Sequence, residues 1–201
     1  PPRQADFWPD GVLPPFSSTD ATDSGVIRVQ NADFDPLIKL PSIPDALTWK
    51  DGEFSRYQIV QFSGPVTEQD KLAVSGAGVE LLRYVTHFAF VCRFADSEAK
   101  ARVAAFPNIR WIGPFEPAYR IDAQVGRIPL RHPERLNEDT YRLVITVFDG
   151  ESLEELKTAV LSFDGVVTDT VETPYRKSLH IRIHPDAVPE LARIQAVYRI
   201  E

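Results

Sequence analysis

The sequence reads YQIVQF at residues 57–62 and YRLVIT at residues 141–146, and these two stretches open the same succession of elements. Both are short runs of aromatic, aliphatic and β-branched residues, which is typical of strands. Each is followed by a polar stretch that starts a helix, and then by a glycine turn at Gly78 or Gly165. Because the same order occurs twice, the sequence predicts an internal duplication.

The remaining elements also correspond between the two copies. Each copy continues with a second strand, a third strand, a short helix and a fourth strand, predicted respectively at 81–85, 88–94, 96–106 and 108–112 in the first copy and at 167–171, 179–183, 185–194 and 196–200 in the second. Both copies therefore read βαββαβ, which places the chain in the α+β class. We predict a Pro-rich extended arm at 1–54, a first domain at 55–116, a connector at 117–138 and a second domain at 139–201.

The arm and the connector are proline-rich. Residues 1–56 hold 8 of the 17 prolines, which disfavours regular structure there. Large apolar residues such as Trp8, Phe34 and Trp49 make the arm too apolar for a free linker, so we expect parts of it to lie extended against the first copy. In the connector, Ile121, Val125 and Ile128 could add one edge strand.

Within each copy the sequence also predicts where helices begin and which residues of a strand lie on the same face. Ser152 with Glu155 has the form of a capping box, and Thr67 with Asp70 is a weaker version of it. If both helices of a copy cover one sheet face, the opposite face stays open, in both copies. In the second copy the period of two places a mixed polar and apolar set on that face, suited to a protein partner: Val144, Thr146, Phe148, His180 and Arg182.

Composition argues against several classes of partner. The net charge of −7 opposes nucleic acid, whose binding depends on clustered Lys and Arg. The sequence has no run of the roughly 18 to 20 apolar residues that a membrane span requires. A single cysteine excludes an internal disulfide.

No catalytic or metal centre is predicted, and no cofactor is expected. Asp23-Ser24-Gly25 has the form seen around catalytic aspartates, but it follows a polar stretch and has no second copy, so we interpret it as a loop. His180 and His184, four residues apart on a strand, would lie about 13 Å from each other, too far for one zinc ion. Cys92 lies among phenylalanines and is predicted to be a buried small hydrophobe. Gly76 and Gly78 are interpreted as turn residues.

Four segments resemble a known family. YQIVQFSGPV at 57–66, GVELLRYV at 78–85 and NIRWIGP at 108–114 are similar to the N-terminal pro-region of subtilisin-like serine proteases, of the peptidase S8 family. AVYRIE at 196–201 resembles the segment that closes propeptides of the inhibitor I9 type. The resemblance covers roughly residues 55 to 201.

The resemblance implies two tandem ferredoxin-like sandwiches without peptidase activity, which assist the folding of the parental catalytic domain and then inhibit it. In that family the open sheet face packs on the enzyme, so the expected partner is the protease's catalytic domain, and secretion or display at the cell surface is expected. His184 and Glu201 join the predicted interface. We also expect protonation of His180 and His184, between about pH 5 and 8, to change docking.

Two other functions stay open at the level of sequence. Tandem βαββαβ units also form regulatory modules that bind small ligands, and a metabolite melting screen would detect such a module. A surface interaction domain without a protease is the third possibility. The sequence that follows residue 201 discriminates between these functions, because a protease requires its catalytic segments there.

Overall fold

The computed structural model of this chain describes residues 25–50, 52–126 and 139–201. The fold is mixed α+β, with two four-stranded antiparallel sheets in those ranges. The described residues form two compact units. The first unit contains residues 25–42 and 49–116, and the second contains residues 43–48, 117–126 and 139–201.

The first unit contains the first copy of the duplication and a short hairpin that precedes it. Its elements are β1 (Ile27–Val29), β2 (Ala32–Phe34), β3 (Tyr57–Phe62), α1 (Glu68–Gly76), β4 (Val79–Tyr84), β5 (Ala89–Phe94), α2 (Ser97–Ala104) and β6 (Ile109–Pro114). β1 pairs with β2, and the four-stranded sheet has the order β4-β5-β3-β6. The first strand of the copy is thus central, and the fourth lies at an edge.

The second unit repeats this arrangement. Its elements are β7 (Tyr141–Val147), α3 (Glu154–Ser162), β8 (Val166–Thr173), β9 (Arg176–Ile183), α4 (Val188–Arg193) and β10 (Val197–Ile200), with 3-10 helices at Asp45–Leu47, Pro117–Arg120 and Pro185–Ala187. The sheet order is β10-β7-β9-β8, which is the order of the first sheet read from its other edge. The succession of elements predicted from the sequence is therefore present in both copies.

The duplication extends to the irregularities of the sheets. In each copy the pairing of the first with the fourth strand shifts register once, and so does the pairing of the second with the third. These shifts lie at Gln61/Phe62 and Leu81/Arg83 in the first copy and at Val197/Arg199 and Val167/Asp169 in the second. Bulges of this kind locally increase strand twist. Because they coincide, positions in one sheet can be matched to positions in the other.

The helices begin near the predicted residues. Thr67 accepts a hydrogen bond from the Asp70 amide while the Asp70 side chain accepts from the Thr67 amide, so the capping box expected to be the weaker is fully formed. Asp96 caps α2 through the Ala99 amide. At α3, Ser152 accepts from the Glu154 amide instead of from residue 155, because Leu153 already has helical dihedral angles.

The helices cover one face of each sheet with apolar side chains. In the first unit Val74 of α1 and Val103 of α2 belong to one core with Phe62, Cys92 and Phe94. In the second unit the predicted apolar face of α3 is buried at Leu153, Leu156 and Val160, as are Leu179, Ile181 and Ile183 of β9. Burial of such side chains contributes roughly 1.5–3 kcal/mol each.

The opposite face of the first sheet is not bare, contrary to the expectation from sequence. All six residues of β3 are buried, including Tyr57 and Ile59, which point away from the helices. The hairpin β1–β2 lies against this side, where the Phe34 ring meets the Trp111 ring edge-on at 6.1 Å and Ile27 is completely buried. The residues that precede the first copy thus supply a second apolar layer for its sheet.

A buried polar cluster fixes this covering hairpin. Arg110 donates to both carboxylate oxygens of Asp35 at 2.8 Å and to Gln61 Oε1 at 2.6 Å. Gln61 in turn donates to the Gly25 carbonyl at 3.0 Å. A Cβ atom on Gly25 would lie 2.3 Å from Asp35 Oδ2 and 2.7 Å from Arg110 Nη2, so a larger residue there would have to displace this ion pair. Asp23 and Ser24, which precede this glycine in the motif noted above, lie outside the described residues.

The described part of the connector packs within the second unit. Arg120 is fully buried and donates to the Ala192 and Ile194 carbonyls at the C-terminal end of α4, where a cation is favoured by the helix dipole. Ile121 forms a parallel bridge with Ile200 beside the sheet edge, and Ile128 lies outside the described residues. The glycine prediction holds for Gly78, whose φ is +86°, and is wrong for Gly76, which ends α1.

Candidate protein-interaction surface

The face of the second sheet that points away from α3 and α4 is the candidate site, and it is called the outer face below. Burial alternates along β7 and, apart from the consecutive buried pair Ser178 and Leu179, along β9, with Leu143, Ile145 and Ile181 buried and their neighbours more exposed. This is the pattern of an antiparallel sheet with one face packed and one face accessible. The more exposed positions of these two strands therefore form the outer face.

The strand register arranges the outer face in three rows. Residues opposite each other in neighbouring strands lie on the same face, with Cβ atoms about 4.5–5.5 Å apart. The rows, written from β10 to β8, are Arg199–Thr146–Ser178–Val171, then Glu201–Val144–His180–Asp169, and then Arg142–Arg182–Val166 from β7 onward. The centre is thus apolar or uncharged, and most of the charges lie at the ends of the rows.

Four of the seven predicted interface residues lie on the outer face within β7 and β9. Val144 and His180 are half-buried partners in the middle row, Thr146 is half-buried in the first row, and Arg182 is exposed in the third. The sequence placed these four side chains correctly, because a strand turns alternate residues to the same side.

The prediction that Phe148 lies on the outer face is wrong. The prediction extended the period of two beyond the strand, but β7 ends at Val147 and Phe148 begins the turn that follows. Its side chain is 1% exposed, and its ring packs at 5.1 Å from that of Tyr198. Phe148 therefore belongs to the core of the second unit and is not part of the outer face.

His184 is also displaced from its predicted position. β9 ends at Ile183, so His184 does not continue the strand that carries His180. Instead, its Nδ1 accepts a hydrogen bond from the Asp186 amide at the start of a 3-10 helix, because Pro185 ends the strand pairing. The two histidines thus do not form one row.

Glu201 extends the outer face beyond the end of β10. Its amide and carbonyl pair with Val144 at 3.0 and 2.7 Å, which adds a position to the strand pairing. Its carboxylate faces Arg199 at 3.0 Å and Arg176 at 3.5 Å, and Arg199 also contacts Asp122 at 2.9 Å. The charges at this end of the face therefore neutralise each other within the chain.

Ser178 is one of the outer-face residues that sequence reasoning missed. It lies between Thr146 and Val171 and is fully buried, yet its hydroxyl has no hydrogen-bond partner among the described residues. Its place opposite Thr146 could have been inferred from the alternation that placed His180.

Cys92 is buried and has a perturbed pKa. Burial strongly raises the pKa of the Cys92 thiol, which keeps it protonated and therefore a poor nucleophile. Within 25–50, 52–126 and 139–201 there is no group of three or more His, Cys, Asp or Glu side chains that could hold a metal ion. No helix in those ranges is long and apolar enough to span a membrane.

A model of one protein family matches the first part of the chain. Residues 28–116 match the model of a family described as a domain of unknown function, DUF8729. This match covers under half of the 201 residues, begins in β1 and ends beyond β6. It therefore groups the covering hairpin with the first copy, in agreement with the compact unit that contains both.

The other comparisons add little. No curated protein matches the chain. Among solved structures, the small subunit of acetolactate synthase from Thermotoga maritima is similar at 13% sequence identity, over 72% of this chain and 90% of that chain, with a TM-score of 0.22. At such a TM-score the similarity carries no argument about fold or function.

Proposed function

We propose that this chain is a non-catalytic module that acts by covering another protein with the outer face of its second unit. Each four-stranded unit is proposed to be a ferredoxin-like βαββαβ sandwich, which the strand order 4-1-3-2 within each copy supports. The observation that carries the proposal is the difference between the two sheets. The central strand β3 of the first sheet is buried on both faces, whereas the central strands β7 and β9 of the second sheet present a mixed outer face whose centre is apolar or uncharged.

The proposed partner is the catalytic domain of a subtilisin-like serine protease, for which the chain serves as the N-terminal pro-region. This rests on the resemblance of residues 57–66, 78–85, 108–114 and 196–201 to such pro-regions. In this role the chain assists the folding of the protease and then inhibits it, and the protein is secreted or displayed at the cell surface. The first unit, whose central strand is already covered by the hairpin, is not part of the proposed docking surface.

The first test is the reading frame that follows residue 201. The proposal requires a subtilisin-like catalytic domain there, with its aspartate, histidine and serine segments in that order. A reading frame that encodes no such domain would refute the protease assignment.

The second test measures binding to that catalytic domain, with its nucleophilic serine replaced by alanine. We expect Val144→Asp to weaken binding by about tenfold or more, which corresponds to roughly 1.4 kcal/mol, because the substitution places an unpaired charge at the centre of the contact. The matched control is Leu161→Asp on α3, which introduces the same charge at a side chain that is 63% exposed and away from the outer face. Equal affinities of the two variants would exclude the outer face from docking.

A further inference from the structure

Residues 1–24 lie outside the described residues, but their sequence contains several large apolar side chains. Examples are Phe7, Trp8, Leu13 and Phe16. An aromatic side chain buries roughly 150–250 Å² when it packs, and leaving this area in water is unfavourable. The segment therefore needs an apolar surface to pack on.

The chain already covers one sheet with a segment of this kind. The hairpin β1–β2, which follows residues 1–24, places the Phe34 ring edge-on against Trp111 at 6.1 Å. The adjoining Asp35 accepts hydrogen bonds from Arg110 at 2.8 Å. An aromatic residue next to an aspartate thus anchors this cover. Because β3 is buried on both faces, the centre of the first sheet is not available to residues 1–24.

Residues 6–10, with the sequence DFWPD, combine the same residue types. Their aromatic pair stands between two aspartates, while the outer face of the second unit has an apolar or uncharged centre with charges mostly at the ends of its rows. The charged residues of the three rows are three arginines and two carboxylates: Arg142, Arg182, Arg199, Asp169 and Glu201. The segment and the face therefore carry net charges of opposite sign, which favours their association.

The anchor position of the hairpin has a counterpart on the second sheet that also accepts an aromatic ring. The counterpart of Trp111 is Arg199, whose guanidinium contacts Asp122 and Glu201. A guanidinium held in ion pairs still presents a flat face on which an aromatic ring stacks. In the same row Ser178 is fully buried, and its hydroxyl has no hydrogen-bond partner among the described residues. An extended segment across the face brings backbone N–H and C=O groups that can pair with this hydroxyl.

We propose that residues 6–10 cover the outer face of the second unit in the free chain, with the Phe7–Trp8 pair over its uncharged centre. Residues 11–24 separate this segment from Gly25, and 14 residues span about 46–50 Å when extended. This length is about four times the radius of gyration, about 12 Å, expected of a unit of about 80 residues. The segment is therefore long enough to reach the face.

The cover regulates docking, and this consequence rests on the proposed function. Because the same face is proposed to dock the catalytic domain, residues 6–10 compete with the partner within the chain. The partner then binds only the fraction of chains in which the face is free. A covered fraction of about 70–90% weakens the apparent affinity about threefold to tenfold.

A nitroxide spin label on the segment tests where it lies in the full chain. Cys92 is completely buried and burial raises the pKa of its thiol, so the label attaches to the cysteine introduced by Ala5→Cys. We expect the amide signals of Val144, Thr146 and His180 to lose the most intensity in nuclear magnetic resonance spectra. These signals should return when the nitroxide is reduced.

Two variants of the labelled chain identify the anchor. Phe7→Ser combined with Trp8→Ser should restore the outer-face signals, because it removes both aromatic rings at unchanged chain length. Phe16→Ser is the matched control, and it should leave the pattern unchanged because residue 16 lies outside the proposed cover. Unchanged positions of the core signals verify that each variant is folded.

Three results would overturn the proposal. In the first, the largest losses fall on the first unit, for example at Tyr84, which is 60% exposed and meets the Phe90 ring edge-on at 5.3 Å. In the second, no signal loses more intensity than it does with free label at the same concentration. In the third, the losses arise between chains, when spin-labelled chains are mixed with isotope-labelled chains, so that a second copy is the occupant.

Binding to the catalytic domain separates this inference from the proposed function. We expect the variant with Phe7→Ser and Trp8→Ser to bind about threefold to tenfold more tightly than Phe16→Ser. If these variants bind equally, the regulation by residues 6–10 is refuted while the docking function stands. If no catalytic domain binds the chain but the spin label gives the expected pattern, the cover stands and the protease partner is refuted.

Discussion

Asp35→Asn tests whether the covering hairpin is fixed to the first sheet by charge. The Asp35 and Arg110 side chains are only 14% and 22% exposed, and Arg110 donates to both Asp35 oxygens at 2.8 Å. Removing one partner of a buried ion pair costs about 3–5 kcal/mol, while exposed pairs contribute about 0–1 kcal/mol. For this partly buried pair we expect a loss of about 2–3 kcal/mol in the free energy of unfolding, between these limits.

The pH dependence of this loss distinguishes a charge effect from a packing effect. Burial by itself raises the pKa of Asp35. Hydrogen bonds from Arg110 and from the Leu37 amide, together with the Arg110 charge, lower the pKa by more than burial raises it, so the net shift is downward. A depressed pKa contributes stability above the unfolded value of about 3.9, and this stability is lost as the pH falls through the folded value. The difference between wild type and Asp35→Asn should therefore be full at pH 7 and shrink below about pH 4.

Urea unfolding followed by tryptophan fluorescence measures this difference in the right unit. Two of the three tryptophans, Trp49 and Trp111, lie in the first unit, and Trp111 contacts Phe34 of the hairpin. Glu68→Gln is the matched control, because the Glu68 side chain is 83% exposed and forms a surface ion pair with Lys71, so the substitution should cost less than about 1 kcal/mol. A difference that is absent at pH 7, or equally large at pH 2, would contradict the assigned role of this ion pair.

Two comparisons of substitutions and one labelling experiment follow from burial and close contacts. Phe148→Asp should destabilise the second unit by more than about 3 kcal/mol, because it removes a buried ring and buries a carboxylate, whereas Val144→Asp should cost under about 1 kcal/mol. Thermal unfolding compares the two variants. Equal melting temperatures would contradict the burial of Phe148. Gly165→Ala should lower the free energy of unfolding by about 1–3 kcal/mol, because the new Cβ would lie 2.8 Å from the Val160 carbonyl oxygen. Gly64→Ala is the control, and it should be nearly neutral in the same assay because no atom lies within 4 Å of its new Cβ. A neutral Gly165→Ala would contradict this geometry. Cys92 should react with a thiol reagent only after unfolding, since burial raises the pKa of its thiol, and rapid labelling of the native chain would show that the residue is accessible.

The strands were predictable because their patterns are local. In β7 the buried Leu143, Ile145 and Val147 alternate with polar or smaller residues, and this alternation predicts both the strand and its outer face. The prediction failed where the strand stopped. Phe148 follows the buried Val147, so two consecutive apolar residues are buried, which a turn allows and a strand with one covered face does not.

The sequence of β3 contains a pattern that predicts a sheet covered on both faces. In YQIVQF at 57–62, apolar residues occur at both parities, with Tyr57 and Ile59 on one face and Val60 and Phe62 on the other. A strand that is apolar on both faces is typical of a sheet buried on both sides. The identity of the covering segment could not be inferred in the same way, because the hairpin strands have only three residues each and their attachment depends on the long-range pair Asp35–Arg110.

Matching the two copies position by position explains why one sheet is covered and the other has an accessible face. At equivalent places, Tyr57 and Val91 of the first sheet correspond to Arg142 and His180 of the second. Trp111, which receives the hairpin phenylalanine, corresponds to Arg199. Each of these differences replaces an apolar side chain with a polar one, and burying polar groups under an apolar cover costs free energy. An apolar hairpin of the kind that covers the first sheet would therefore fit the second sheet poorly, and we expect a partner of this face to bring polar groups of its own.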